Sequence, residues 1–263
     1  MIRMVFFDID GTLTDFDTHR IPDHVFVVLR RLKEQGIKLI IATGRGKDGL
    51  SVLEQFPFDG YITLNGQYCF DENGTVLYEN TIDPASIRLL LEELKRNPVP
   101  CGFQLEHERI FNFRNELVDE IHAITGNDDA PAGDISGIEY KRIYQCMIFM
   151  DEEGERRLLS KIPNCRSARW YPTFFDLSPE GGTKVRGMEL FMRHYGISRE
   201  ETVAFGDGGN DLEMIRFAGI GVAMGNAGES LKDAADYVTE TTANHGIEQA
   251  LSRYGVLKQE KNT

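Results

Sequence analysis

Short apolar runs alternate with amphipathic stretches in the first part of the chain. Residues 3–7 and 37–42 are largely apolar and of strand length, and apolar side chains recur at helical spacing between Val25 and Leu32. Pro22 stands where the first helical turn would begin, and Gly36 follows as a stop signal. A buried strand, a helix and a second buried strand are therefore predicted, followed by a further strand over 61–64 that ends at Asn65-Gly66.

The same rhythm returns near the end of the sequence. The pattern predicts a helix over 183–195, a strand over 202–205, a helix through Phe217 and a short strand over 220–223. Small polar residues and glycines follow the early strands and the late strand alike. This alternation predicts an α/β fold with a doubly wound parallel sheet, whose site lies at the carboxyl ends of the strands.

The middle of the chain has a different pattern. Strand-like runs dominate there, with helices at 87–95 and 152–161 and a Gly/Asp/Pro-rich loop at 126–137. The predicted strands are 103–113, 143–150 and 167–177. We therefore expect an α+β domain at 83–179, inserted into a discontinuous core formed by residues 1–82 and 180–263.

Composition places the 263-residue chain among ordinary globular proteins, with 41% hydrophobic and 27% charged residues. The formal net charge of −13 disfavours a nucleic-acid partner. The N-terminus does not read as a signal peptide and no apolar run approaches membrane-spanning length, so we expect a cytoplasmic protein without a membrane partner. The four cysteines form no C-x-x-C pair, the histidines lack metal-ligand spacing, and the oligomeric state stays open.

Two carboxylates follow the first predicted strand. Asp8 and Asp10 lie two residues apart, so an extended backbone would point both side chains the same way. A carboxylate nucleophile beside a carboxyl that can donate and then accept a proton is what two-step phosphoryl transfer requires. The alternative is a solvated loop in which both side chains bond nearby backbone groups.

Further polar residues follow the other strands. Thr43 could hold a phosphate oxygen or simply cap a helix, and Lys184 could offset charge at the site or lie in solvent. Asp207 and Asp211 bracket a glycine-rich turn that also contains Asn210. Such a turn suits a hard cation that prefers oxygen ligands, although helix capping would explain it as well.

The order of these signals resembles the haloacid dehalogenase (HAD) superfamily of phosphohydrolases, and in particular its Cof-type branch. The matching stretches cover both core segments; they are 6–13 (FFDIDGTL), 41–45 (IATGR), Asn65-Gly66, 205–211 (FGDGGND), 221–227 (GVAMGNA) and 234–239 (AADYVT). The long interval between Thr43 and Lys184 holds the insert. Its position and mixed composition resemble the type IIB cap, which the superfamily associates with small phosphorylated metabolites.

The resemblance implies a role for each core residue. Asp8 would be the nucleophile and would carry the phosphoryl group as an aspartyl-phosphate, while Asp10 would act as general acid and then as general base. Mg²⁺ would be held by Asp8, the Asp10 carbonyl and Asp207, with Asp211 ordering a metal-bound water or Lys184. The residues expected to contact the phosphate or substrate are Thr43, Gly44, Arg45, Asn65, Lys184 and Asn210. An acid two positions after the nucleophile favours phosphate esters over halides as substrates, because an alkoxide leaves poorly without a proton.

Three further stretches look like parts of a bacterial hexose-phosphate phosphatase: 18–22 (THRIP), 106–109 (EHER) and 169–172 (RWYP). Trp170 and Tyr171 could form an aromatic platform for a sugar ring, or could only pack within the cap. The leading hypothesis is a Mg²⁺-dependent phosphatase of hexose or other sugar phosphates. A sugar phosphomutase, a phosphatase of flavin mononucleotide or pyridoxal phosphate, and a non-enzymatic phosphoacceptor signalling module are the alternatives.

Overall fold

The computed structural model describes residues 1–15, 18–125 and 130–257, with the backbone alone at 124, 125 and 170. The strands are β1 (Met4–Phe7), β2 (Lys38–Ala42), β3 (Gly60–Thr63), β4 (Tyr68–Asp71), β5 (Val76–Glu79), β6 (Cys101–Gln104), β7 (Arg109–Phe111), β8 (Gln145–Ile148), β9 (Cys165–Tyr171), β10 (Phe174–Pro179), β11 (Thr202–Gly206), β12 (Ile220–Ala223) and β13 (Tyr237–Val238). The α-helices are α1 (Asp23–Glu34), α2 (Pro84–Arg96), α3 (Glu116–Thr125), α4 (Glu152–Leu159), α5 (Lys184–Tyr195), α6 (Leu212–Phe217), α7 (Glu229–Lys232) and α8 (Gly246–Arg253).

Two compact units can be distinguished along the chain. The first comprises Met1–Arg45, Gly49–Tyr78 and Thr183–Thr263, and the second comprises Gly46–Asp48 and Glu79–Gly182. Each unit has its own sheet and its own hydrophobic clusters.

The first unit is built on an eight-stranded sheet in the order β13-β12-β11-β1-β2-β3-β4-β5. All pairings from β13 across to β3 are parallel, and β4 runs antiparallel to β3. The predicted doubly wound parallel sheet is therefore confirmed. Strands β4, β5 and β13 extend the sheet beyond the strands that the sequence pattern predicts.

Side chains of β1 alternate between two hydrophobic clusters on opposite faces of this sheet. Val5 and Phe7 pack in one cluster with residues of α1 and α8. Met4 and Phe6 pack in the other with residues of α5, α6 and α7. All four β1 side chains are fully buried, which explains why this strand is a continuous apolar run.

Helix α5 illustrates how local signals set the element boundaries. The Thr183 side chain accepts a hydrogen bond from the Arg186 N–H and so caps the first turn. Gly196 ends the helix in the left-handed conformation, with φ of 61°. These boundaries place Lys184 at the first helical position.

The second unit contains a five-stranded antiparallel sheet in the order β7-β6-β8-β10-β9. The single strands predicted at 103–113 and 167–177 are wrong, because each run folds back into a hairpin. Leu105 and the polar residues 106–108 separate β6 from β7, and Pro172 with Thr173 separates β9 from β10. Helix α3 was not predicted, and positions 126–129 of the predicted loop lie outside the described residues.

Among the residues that the structure describes, none of the helices combines the length and the apolar character needed to cross a membrane.

Candidate active site

Polar side chains that follow three neighbouring parallel strands lie at one edge of the first unit's sheet. Asp8 follows β1, Thr43 follows β2 and Asp207 follows β11, and β1 lies between the other two strands. Because carboxyl ends of parallel strands meet at the same edge, residues far apart in sequence converge there. Asp8 is 5% exposed and Thr43 is 1% exposed, so this edge holds buried polar groups.

Lys184 joins two of the buried carboxylates. Its ammonium Nζ lies 2.7 Å from Asp8 Oδ1 and 2.6 Å from Asp211 Oδ1, and the three side chains are at most 8% exposed. Burial acts to lower the pKa of Lys184, but Asp211 and Asp8 outweigh it and raise that pKa. Lys184 is therefore held as a buried cation between two anions, which excludes the solvent-exposed lysine that the sequence left open.

Asp8, Asp207 and Asp211 form a cluster in which one carboxylate oxygen from each lies within 4.8 Å of the others. The pKa of Asp8 is raised well above its ordinary value, and the pKa of Asp207 is raised to about 7. In both cases burial is the larger cause and the negative charge of Asp211 is the second. Without a further cation, the ionised cluster is thus disfavoured. Oxygen donors with excess negative charge fit a hard divalent cation such as Mg²⁺.

Hydrogen bonds engage both oxygens of the Asp211 carboxylate. Oδ1 accepts from Lys184, while Oδ2 accepts from the backbone N–H groups of Asp207 and Gly208 at 3.1 and 3.0 Å. Asp211 is fully buried. These bonds fix the turn after β11, and they orient Lys184 toward Asp8.

Asn226 is a neighbour of the cluster to which the sequence analysis assigned no role. Its Nδ2 donates to Asp207 Oδ2 at 2.8 Å and to the Gly11 carbonyl at 3.0 Å, while Thr12 Oγ1 donates to Asp207 Oδ1 at 3.4 Å. Asn226 lies three residues after the end of β12, whereas Asp8, Thr43 and Asp207 directly follow their strands, so the sequence marks Asn226 less clearly. Gly11 allows the close approach, since it has φ of +75° and a Cβ there would lie 2.1 Å from Asp207 Oδ2.

Thr43 and Arg45 lie next to each other at the end of β2. Thr43 Oγ1 accepts a hydrogen bond from the Arg45 N–H at 3.1 Å, which leaves the hydroxyl proton for another acceptor. The guanidinium of Arg45 binds the Asp10 carboxylate and not the carboxylate cluster. The next helix is a 3₁₀ helix at Lys47–Leu53, which begins four residues after Thr43, so Thr43 does not cap it.

Asn65 lies in a strained turn that brings it to the same edge. Leu64 and Asn65 both adopt the left-handed conformation, with φ of 51° and 54°. The Asn65 N–H donates to the Thr43 carbonyl at 2.9 Å, and Asn65 Oδ1 accepts from Asn210 Nδ2 at 3.0 Å. A Cβ on Gly44 would lie 3.3 Å from Asn65 Nδ2. The structure therefore places Gly44, Asn65 and Asn210 together.

A known protein family matches most of the chain. Residues 5–251 match the haloacid dehalogenase-like hydrolase family. The chain belongs to this family. The resemblance inferred from the sequence is thus confirmed, and so is the predicted enzyme class, a phosphatase of the haloacid dehalogenase-like hydrolases.

Individual relatives of this haloacid dehalogenase-like hydrolase align over nearly its whole length. It is 34% identical to a Bacillus subtilis (strain 168) protein named "Putative phosphatase YkrA", with 97% of this chain and 99% of that one covered. The structure resembles phosphatase BT1666 from Bacteroides thetaiotaomicron, with TM-score 0.89, 35% identity and coverage of 97% and 96%. It also resembles the HAD subclass IIB sugar phosphatase BT4131, with TM-score 0.86, 40% identity and coverage of 97% and 99%.

The second unit of this hydrolase contains two of the three stretches that suggested a sugar ligand. Tyr171 donates from its hydroxyl to Glu120 Oε1 at 2.9 Å and stacks with Phe174, so it packs within the unit. Arg169 donates to Glu155 Oε2 and to nearby carbonyls, and Arg109 donates to Gln104 Oε1. The Trp170 side chain lies outside the described residues. These contacts are structural.

Proposed function

We propose that this protein is a Mg²⁺-dependent phosphomonoesterase that hydrolyses hexose or other sugar phosphates through an aspartyl-phosphate at Asp8. One observation carries the proposal: the Asp8 carboxylate is buried, is held by Lys184 and lies beside two further carboxylates. A buried anion in that setting can attack an electrophile when cations lower the repulsion between it and a phosphate.

In the first half-reaction, Asp8 attacks phosphorus and the bond from phosphorus to the ester oxygen breaks. Asp10, in its acid form, donates a proton to that oxygen, so the sugar leaves as an alcohol. Lys184 and the Thr43 hydroxyl bind phosphoryl oxygens. Asp8, the Asp10 carbonyl and Asp207 would hold Mg²⁺, which supplies Lewis-acid stabilisation of the charge on the transferring group.

In the second half-reaction, water attacks the phosphorus of the aspartyl-phosphate. Asp10, now a carboxylate, accepts a proton from that water as the bond between phosphorus and the Asp8 oxygen breaks. Inorganic phosphate leaves and Asp8 returns as a carboxylate. Asn65 and Asn210, with Gly44, are proposed to contact phosphate or substrate oxygens during both steps.

We further propose that residues 83–179 act as a cap that selects the substrate. Support comes from the position of the insertion, between Thr43 and Lys184, and from the similarity to a sugar phosphatase of subclass IIB. Asp8, Asp10, Asp207 and Asp211 all lie in the first unit. Substitutions in the second unit should therefore change the ranking of substrates more than the chemistry at Asp8.

A phosphatase screen tests the proposal. Several dozen phosphorylated metabolites are offered with and without Mg²⁺ to wild type, to Asp8→Asn and to Asp233→Asn, an exposed carboxylate outside the site. We expect phosphate release from sugar monophosphates that requires Mg²⁺, persists in Asp233→Asn and disappears in Asp8→Asn. Equal release by wild type and Asp8→Asn would show that Asp8 is not the nucleophile. Conversion of a sugar monophosphate to its isomer that depends on an added bisphosphate, without release of phosphate, would favour a mutase.

A further inference from the structure

Arg45 binds the carboxylate of Asp10 through two parallel hydrogen bonds. Its Nε donates to Asp10 Oδ2 at 2.9 Å and its second terminal nitrogen donates to Asp10 Oδ1 at 2.6 Å. The other terminal nitrogen donates to the Gly49 carbonyl at 2.9 Å. Two-point guanidinium–carboxylate pairs fix orientation as well as distance, which a single hydrogen bond does not.

Hydrogen bonds of its backbone fix Arg45 in the position from which it contacts Asp10. Its backbone N–H donates to Thr43 Oγ1, and its carbonyl accepts from the Leu64 N–H at 2.9 Å. The Arg45 side chain is only 17% exposed, whereas that of Asp10 is 54% exposed. A half-exposed carboxylate without such a partner would populate several rotamers, and Arg45 restricts it to one.

We propose that Arg45 is a positioning residue that aims Asp10 at the bond being broken, and that it does not bind the phosphoryl group directly. The inference rests on the proposed function, because it assigns Arg45 a task in the proton transfer by Asp10. It revises the expectation that Arg45 is a phosphate ligand. Three of its five N–H groups already serve Asp10 and Gly49.

The two-point contact is compatible with both forms of Asp10. When Asp10 is a carboxylate, both oxygens accept from Arg45, as in this structure. When one oxygen carries the proton that passes to the ester oxygen, as the phosphorus–oxygen bond breaks, the other still accepts from the guanidinium. Arg45 can therefore keep Asp10 in place through both half-reactions.

Leaving-group dependence separates this role from direct phosphate binding. A sugar phosphate needs a proton on its leaving oxygen, whereas p-nitrophenyl phosphate expels a stable anion and needs none. The measured quantity is kcat/KM, which reports on steps through departure of the leaving group. For Arg45→Ala we expect a loss of about 100-fold with the sugar phosphate, as for a misplaced catalytic group, and less than about threefold with the aryl phosphate. Arg45→Lys should recover only part of the loss, because an ammonium makes a single-point contact.

Two comparisons complete the test. Arg31→Ala removes another arginine–carboxylate pair, with Glu248, and should leave the ratio of the two kcat/KM values unchanged. In an Asp10→Asn background, Arg45→Ala should cost nothing further with the sugar phosphate, because the residue it acts through is already lost.

Other results would overturn the inference. Equal losses with both esters would assign Arg45 to the phosphoryl group, and full additivity with Asp10→Asn would show that it acts independently of Asp10. An Arg45→Ala enzyme with both kcat/KM values unchanged would show that the contact has no role in the reaction. A wild-type protein that hydrolyses neither ester contradicts the proposed function itself, and the inference falls with it.

Discussion

Asp207 combines a proposed metal-binding role with an electrostatic cost in the metal-free protein. Burial and the neighbouring Asp211 raise its pKa to about 7, compared with about 3.9 for an unfolded aspartate. A raised pKa in the folded state means that ionisation opposes folding. The cost is absent below about pH 4, grows as the pH rises toward 7 and is complete above that value. A bound cation would offset it.

Replacing Asp207 should therefore separate stability from metal binding. We expect metal-free Asp207→Asn at pH 8 to be more stable than metal-free wild type by about 1–2 kcal/mol, and this gain should vanish near pH 4. Mg²⁺ should raise the melting temperature of wild type but not that of Asp207→Asn. Thermal unfolding with EDTA or Mg²⁺, across this pH range, measures both effects. Equal Mg²⁺ stabilisation of the two proteins would contradict Asp207 as a ligand.

Asn226 should act on the cation through Asp207. Because its amide orients one Asp207 oxygen, Asn226→Ala should raise the Mg²⁺ concentration for half-maximal activity by about 10- to 100-fold. The maximal rate at saturating Mg²⁺ should stay close to that of wild type. Mg²⁺ titrations of activity provide the measurement, with the exposed Asn244→Ala as the matched control. An unchanged midpoint in Asn226→Ala would exclude the role.

The sequence predicts the positions of some of these site residues but not the contacts between others, for a physical reason. Asp8, Thr43 and Asp207 directly follow buried parallel strands, and that placement alone brings them to one edge of the sheet. The contact between Arg45 and Asp10 depends on side-chain rotamers and on the close approach at Gly49, which no periodicity encodes. The location of a site is therefore easier to predict from sequence than the polar contacts between its side chains.

Asp59 links three elements of the first unit. It precedes β3, accepts from Lys33 at the end of α1 at 2.8 Å, and accepts from Lys38 and the Leu39 N–H of β2, both at 2.9 Å. Burial acts to raise the pKa of Asp59, but these hydrogen bonds outweigh it and hold the pKa below its usual value. The ionised carboxylate thus stabilises the packing of α1 on the sheet.

Asp59→Asn should lower the free energy of unfolding by about 1–3 kcal/mol at pH 7, since charge-assisted hydrogen bonds are lost. A lowered pKa contributes stability above the unfolded pKa of about 3.9, and this contribution is lost as the pH falls through the folded value. The difference between wild type and Asp59→Asn should therefore begin to shrink as the pH falls below about 4, and it should close only below the folded pKa of Asp59. Urea unfolding from about pH 3 to 7 measures this decrease. A difference that is independent of pH would point to packing and not to charge.

Element prediction succeeds where burial is complete and fails where a turn is short. The apolar runs of β1 and β2 and the caps of α5 mark their elements well, because buried parallel strands and capped helices have distinct patterns. In the sequence, the hairpins β6–β7 and β9–β10 each resemble one long strand, because the turn between the two strands is short and does not clearly interrupt the strand-like pattern. Edge strands such as β5, which is partly exposed on both faces, carry little hydrophobic signal at all.

The net negative charge of the chain and the topology of its sheet both bear on how a phosphate ester could bind. A protein with a formal net charge of −13 would repel a phosphate ester unless cations were concentrated at its site. Lys184 supplies one positive charge within the carboxylate cluster, and a divalent cation would supply more. The fold makes this concentration possible because it gathers residues from both ends of the sequence at one sheet edge, while residues 79–182 form a separate unit.

Covalent trapping of Asp8 tests the central claim most directly. Wild-type protein is mixed with a sugar phosphate and Mg²⁺ and quenched with borohydride, which reduces an aspartyl-phosphate to homoserine. Mass spectrometry of the peptide that contains residue 8 should then find homoserine in place of Asp8, in a substrate-dependent manner. Phosphate release without any conversion of Asp8, or with the phosphoryl group trapped on a different side chain, would contradict the account.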